Sequence, residues 1–118
     1  MNVDSMIRSC LADGDLAVDV HNGKVFSMRG NSPREMPVEI TRKGYRRFRF
    51  SKDGTLCHFR VHRVVCIAAY GSIPEGLTID HINNDKSDNR VCNLQVLTNA
   101  ENVRKAWRER RARKEMAV

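Results

Sequence analysis

The chain has 118 residues, 41% of them apolar and 30% charged, with 21 Lys and Arg against 14 Asp and Glu for a net charge of +7. That length supports one modest core and excludes two independent ones. No apolar run approaches the roughly 18 residues of a membrane span, no leader marks the N-terminus, and the cationic excess points to a polyanionic partner.

The charge lies in blocks. Residues 29–63 carry ten Lys and Arg against three acids, and residues 104–118 carry seven against two. Between them, residues 64–103 hold five acids and two cations. A surface charged only for solubility more often mixes the signs. Two nucleic-acid contacts around a carboxylate-dependent site would produce this pattern. Cys10, Cys57, Cys66 and Cys92 form no C-x-x-C pair and no zinc-ribbon spacing. We therefore expect reduced thiols in a cytoplasmic protein and no structural zinc. Cys57 and Cys66 lie in apolar patterns and are expected in the core.

In chain order, Leu16 to Val20 and Lys24 to Ser27 flank His21-Asn22-Gly23, where Asn-Gly supplies a tight turn, so a short β-hairpin is predicted. Residues 29–37 hold two prolines and a glycine and read as loop. A second hairpin is predicted from Tyr45 to Ser51 and Thr55 to Val61 around Lys52-Asp53-Gly54. Alternation puts Phe48, Phe50, Cys57, Phe59 and Val61 on one face and Arg47, Arg49, His58 and Arg60 on the other, Leu56 excepted. A two-stranded ribbon with one basic face fits the DNA major groove. The plain alternative is an edge hairpin kept soluble by its arginines.

His62 to Tyr70 reads as a short helix, with Val61, Val64, Val65, Ala68 and Ala69 as its apolar stripe and Gly71 as its stop. Leu77 to Asp80 is a short strand leading into His81, residues 82–90 a structured polar loop, and Val91 to Leu97 partly extended. Thr98-Asn99-Ala100-Glu101 is a capping box opening a helix toward about residue 114, with a cationic far half and frayed last residues. His58 and His62, four apart, are not expected to share a helical face as a metal pair.

Asp80 and His81 end a strand, a polar loop follows, and Asn102 sits in the first turn of the capped helix. These three places can converge. Asp80 and Asn102 would then offer oxygen ligands to a hard divalent cation. His81, beside that ion but not bound to it, is free to take a proton from water. The helix N-terminus favours an anion such as a phosphate.

Val61-His62-Arg63, Asp80-His81, Asn83-Asn84-Asp85-Lys86 through Asn89, Asn93-Leu94, Leu97-Thr98 and Asn102 together resemble the HNH nucleases, most closely their phage and intron homing-endonuclease branch. The motif spans about 40 residues, and the strands Val18 to Ser27 and Gly44 to Phe50 are similar to the module preceding such cores. The resemblance implies an α+β protein: a small N-terminal β-hairpin module (residues 1–60) that contacts DNA, packed with a ββα-metal core and C-terminal basic helix (residues 61–118) as one unit.

It further implies cleavage of double-stranded DNA with one divalent ion, Mg²⁺ or Mn²⁺, leaving 5′-phosphate and 3′-hydroxyl ends. Asp80 and Asn102 look like the metal ligands, His81 like the general base, and Asn93 like the asparagine that braces the loop and orients the histidine. Arg42, Lys43, Arg46, Arg47, Arg49, Arg60 and Arg63, with Arg104, Lys105 and Arg108 on the last helix, are the candidate DNA contacts. Two departures stand out. Asn83-Asn84-Asp85 replaces Asp-Gly-Asn, which asparagine tolerates because it adopts left-handed backbone. Val96 replaces a common tryptophan. A nicking enzyme, monomeric or weakly dimeric and without membrane contact, is the expectation, set against a DNA-binding protein on a decayed scaffold. An RNA-binding role rests on the basic blocks alone.

Overall fold

Asn2 accepts a 2.8 Å hydrogen bond from the Ser5 amide and so caps a first helix, α1 (Val3–Ala12), in the computed structural model, which describes residues 2–116. No element was expected there. Ile7 and Cys10, three apart, are both fully buried and form its inner stripe. Asp4, in the first turn, reaches across to the Arg63 guanidinium and ties α1 to a later helix.

The first predicted hairpin forms as β1 (Leu16–Asp19) and β2 (Lys24–Ser27), paired antiparallel from Leu16↔Ser27 to Asp19↔Lys24. The Asn22 side chain donates to Asp19 at 2.7 Å and fixes its turn. Part of the expected loop is strand: β3 (Arg34–Glu35) pairs with β2, Phe26 facing Glu35. Two residues of pairing between prolines are too short to show a sequence period.

A second sheet holds β4 (Glu39–Ile40), β5 (Arg46–Lys52) and β6 (Thr55–Arg60) in that order. The hairpin's two faces fall as alternation demands. Phe48 opposes Phe59 and both are buried with rings edge to face, while Arg49 opposes His58 and Arg47 opposes Arg60 on the outer face. Leu56 is exposed, as the exception to the pattern required. Lys52 bridges Asp13 and Asp15 at 2.6 and 2.5 Å, fastening this hairpin to the α1–β1 connection.

Helix α2 (Val61–Tyr70) follows β6 without a linker and stops at Gly71, whose φ of 87° only glycine adopts cheaply. Its buried set corrects the expected stripe. Val61, Val64 and Val65 are buried with His62, Cys66 and Ile67, whereas Ala68 and Ala69 are exposed. The first two turns are enclosed on more than one side, and the last turn emerges. Cys66 is core, and Cys57 is only half-buried.

A two-stranded sheet of β7 (Leu77–His81) and β8 (Leu94–Thr98) then leads into α3 (Asn99–Met116), with a 3-10 turn at Val91–Asn93 before β8. The capping box is complete: the Glu101 amide donates to Thr98 Oγ1 and the Thr98 amide to Glu101 Oε1, both at 3.1 Å. Residues 117–118, where fraying was expected, lie outside the described residues. The architecture is α+β, with small antiparallel sheets around α2 and one apolar cluster running from Ile7 through Val25, Phe59 and Val64 to Leu94. Among the described residues no helix is long and apolar enough to cross a membrane.

Candidate active site

The pairing of β7 with β8 sets Asp80 opposite Gln95 and His81 opposite Leu94, at the end of the pair from which the connecting loop leaves. The loop after β7 is held by its own polar side chains. The Asp85 amide donates to Asn83 Oδ1 at 2.8 Å and the Ser87 amide to Asp85 Oδ1 at 3.0 Å. Asn84 takes a φ of 63°, so asparagine meets the left-handed geometry in place of glycine. Arg90, 2.7 Å from Asp88, holds that carboxyl down at about 2. Asn93 sits buried beneath the loop. Its Oδ1 accepts from the Asn83 amide at 3.1 Å, and its Nδ2 donates to Asn83 Oδ1 and to the Asp88 carbonyl, each at 2.9 Å.

The residue that orients His81 is another asparagine. His81 Nε2 lies 2.8 Å from Asn89 Oδ1 in a buried hydrogen bond. With the amide oxygen accepting, Nε2 carries the proton and the lone pair of a neutral ring falls on Nδ1. Nδ1 is then the ring position left to accept a proton. Asn93 thus braces the loop without touching the imidazole, and Asn89 directs it. Sequence reading set Asn89 within the resembling motif but gave it no role.

Asn89 is itself backed by the first hairpin. The Val91 amide donates to the Val20 carbonyl at 2.8 Å, and a Cβ on Gly23 would lie 2.4 Å from the Asn89 carbonyl carbon. Gly23 also has a φ of +68°. Gly23→Ala should therefore cost about 2–4 kcal/mol, from left-handed strain plus a backbone clash. Gly54→Ala is the control: its φ is +78° but nothing lies within 4 Å, so only strain is paid. Urea unfolding of both variants checks this, and equal losses would contradict the buttress.

His62 lies behind His81, ring centroids 5.2 Å apart and edge to face, with Tyr45 5.2 Å from His62 and 6.2 Å from His81. Its Nδ1 is buried without a partner. Burial pushes the imidazole from 6.5 down to about 3, with His81, Arg60 and Arg63 acting in the same direction. The unfolded chain therefore takes up a proton in that window that the folded protein refuses. Stability should fall as pH drops from about 6.5 toward 3, by up to about 1.4 kcal/mol per unit from this group. His62→Phe should flatten that part of the slope in urea unfolding between pH 7 and 4. Identical slopes in both proteins would contradict the assignment.

Asp80 Oδ2 accepts from Gln95 Nε2 at 2.9 Å and from Lys105 Nζ of α3 at 2.9 Å. Burial works against the Lys105 ammonium, but its bonds to Asp80 and Glu109 more than offset this and raise its pKa. Asn102 lies exposed on the first turn of α3, three residues before Lys105, with no hydrogen bond to Asp80 among the described residues. Among the described residues no group of three or more His, Cys, Asp and Glu is placed to hold a metal. The Asp80 carboxylate at the end of β7 and the Asn102 amide in the first turn of α3 are both hard oxygen donors. A cation already lies against Asp80 as the Lys105 ammonium. That chemistry fits a divalent ion bound by few protein ligands and completed by phosphate and water.

The candidate DNA contacts divide into two groups. Arg42, Lys43, Arg49 and Arg60 are exposed around the β5–β6 hairpin, and Arg104 and Arg108 are exposed on α3. Arg60 also stacks over Tyr45 at 5.0 Å. The others have partners within the chain. Arg46 donates to the Gly44 carbonyl and Arg47 to Glu39, each at 2.8 Å, Arg63 is locked to Asp4, and Lys105 points into the site. Arg63 and Lys105 are drawn inward because α1 and β7 present carboxylates to them.

Residues 59–104 match the family model described as HNH endonuclease. In sequence and in fold this segment is similar to the HNH endonucleases. Over 83 residues the chain is 34% identical to DNA endonuclease I-HmuI of Bacillus phage SP01, covering 70% of this chain and 47% of that one. It is likewise 34% identical over 83 residues to YosQ of Bacillus subtilis (strain 168), named as an SPbeta prophage-derived HNH homing endonuclease, covering 69% and 46%. A solved structure describing DNA binding and cleavage by the HNH homing endonuclease I-HmuI superimposes with a TM-score of 0.72 at 31% identity, covering 81% of this chain and 53% of that one. The chain spans about half the length of these relatives.

Proposed function

We propose that the chain binds double-stranded DNA and hydrolyses a phosphodiester in one strand, using a divalent ion held by Asp80 and Asn102. The observation that carries this reading is an oriented imidazole directly beside a cation-attracting carboxylate: His81 bonded to Asn89 at 2.8 Å, and Asp80 bonded to Lys105 at 2.9 Å. The names given to I-HmuI and YosQ, each of which includes the word endonuclease, support it.

When bound, Mg²⁺ or Mn²⁺ would supply Lewis-acid stabilisation of charge on the scissile phosphate and its leaving oxygen. His81 Nδ1 accepts a proton from the attacking water, while Asn89 keeps Nε2 protonated and the ring fixed. The first turn of α3 favours the phosphate through its helix dipole. The exposed arginines of β5–β6 and α3 neutralise flanking phosphates and position the strand. One such site cuts one strand per binding event.

This mechanism leaves a 5′-phosphate and a 3′-hydroxyl. A nicked duplex recovered after incubation with Mg²⁺ should therefore be resealed by DNA ligase without end repair. Nicks that ligase cannot seal would overturn the product chemistry. Duplex binding without any nicking, in Mg²⁺ and Mn²⁺ alike, would favour the decayed-scaffold alternative, in which the Lys105–Asp80 pair is permanent.

A further inference from the structure

Lys105 has an unusual set of neighbours for a lysine on a basic helix. Its Nζ lies 2.9 Å from Asp80 Oδ2, 3.2 Å from Asp80 Oδ1, 3.2 Å from the His81 carbonyl, 2.9 Å from Asn84 Oδ1 and 3.3 Å from Glu109 Oε1. The side chain is only 14% exposed. All five contacts are oxygens, drawn from the end of β7, the loop after it and α3. An ammonium has three N–H donors, so five oxygens exceed what it can satisfy with straight hydrogen bonds. The arrangement is a seat for positive charge in general, and the chain fills it with its own.

A divalent ion at Asp80 would share that carboxylate with the ammonium. Two like charges on one half-buried group repel strongly, because water screens them little there. The lysine stem is long and flexible, and Arg104 and Arg108 sit beside it on the exposed side of α3. A DNA phosphate drawn in by those arginines gives the displaced ammonium an anionic partner.

We propose that Lys105 is a placeholder for the divalent ion: it holds Asp80, the His81 carbonyl and Asn84 together in the free protein and is displaced when the ion binds, moving to a DNA phosphate. The inference rests on the proposed ion at Asp80. Metal and DNA binding are then coupled, since each favours withdrawal of the lysine, and the coupling is reciprocal.

The test is Mn²⁺ binding to the DNA-free protein, followed by the electron paramagnetic resonance signal of unbound Mn²⁺. Lys105→Met and Lys105→Gln should each bind Mn²⁺ about tenfold more tightly than wild type, and adding Asp80→Asn should abolish the gain. Circular dichroism reports folding of each variant. In wild-type protein, Mg²⁺ should shift the Lys105 Nζ resonance in nitrogen-15 NMR, a readout independent of any variant. Folded Lys105 variants that bind Mn²⁺ no more tightly than wild type, while Asp80→Asn weakens wild-type binding, would overturn the placeholder and leave the metal site standing. Mn²⁺ binding that is absent, or indifferent to Asp80→Asn, in every protein would remove the metal site and the placeholder together.

Discussion

Replacing His81 with alanine is expected to slow DNA cleavage by about 10²–10⁴-fold while leaving duplex binding in place. The size follows from the role: a general base contributes to proton transfer in the transition state and little to ground-state affinity. The residue is only 4% exposed and is held by Asn89, with His62 and Tyr45 behind it, so truncation leaves the exposed arginines untouched. Single-turnover cleavage beside a mobility-shift titration separates the two quantities. Cleavage at the wild-type rate would remove His81 from the reaction.

Asp80→Ala should cost as much through a different route. It deletes the one carboxylate at the end of β7 and with it the charge that draws a cation to the site. Losing several kcal/mol of transition-state stabilisation corresponds to about 10³-fold in rate. The metal titration carries the diagnosis. Asp80→Ala should not recover at any Mg²⁺ concentration, whereas Asn102→Ala should recover partly as Mg²⁺ rises, since a neutral amide contributes less to binding a hard cation than a carboxylate does. A wild-type metal titration in Asp80→Ala would contradict the assignment. The fold should persist, because Lys105 keeps the His81 carbonyl and Asn84 as partners.

What the sequence made readable was local. Asn22-Gly23 and Asp53-Gly54 marked two hairpins, alternation sorted Phe48 from Arg49, and Thr98 with Glu101 marked the start of α3. Each signal lies within a few residues and acts through backbone geometry. The elements that escaped depend on distant partners. Helix α1 was missed although Met6, Ile7, Cys10 and Leu11 repeat at helical spacing and Asn2 caps it. Its value to the fold, the Asp4–Arg63 pair, spans half the chain and leaves no local trace.

The site was half legible for the same reason. Asp80, His81, Asn93 and Asn102 were marked by motif, but their neighbours follow from register and packing. Gln95 reaches Asp80 because strand pairing sets them opposite. Asn89 reaches His81 because the loop folds back over Asn93, and Gly23 supports Asn89 from a hairpin more than sixty residues away. Lys105 looked like one more cation on a basic helix. The oxygens around it, those of Asp80 first, set it apart from Arg104 and Arg108.

The most direct measurement is a time course of supercoiled plasmid with purified protein in Mg²⁺ or Mn²⁺, beside EDTA and His81→Ala controls. The account predicts open circles that appear before linear DNA, stop with EDTA and vanish with His81→Ala. Relaxation that persists in EDTA or in His81→Ala would contradict a metal-dependent cut made at the Asp80–His81 site.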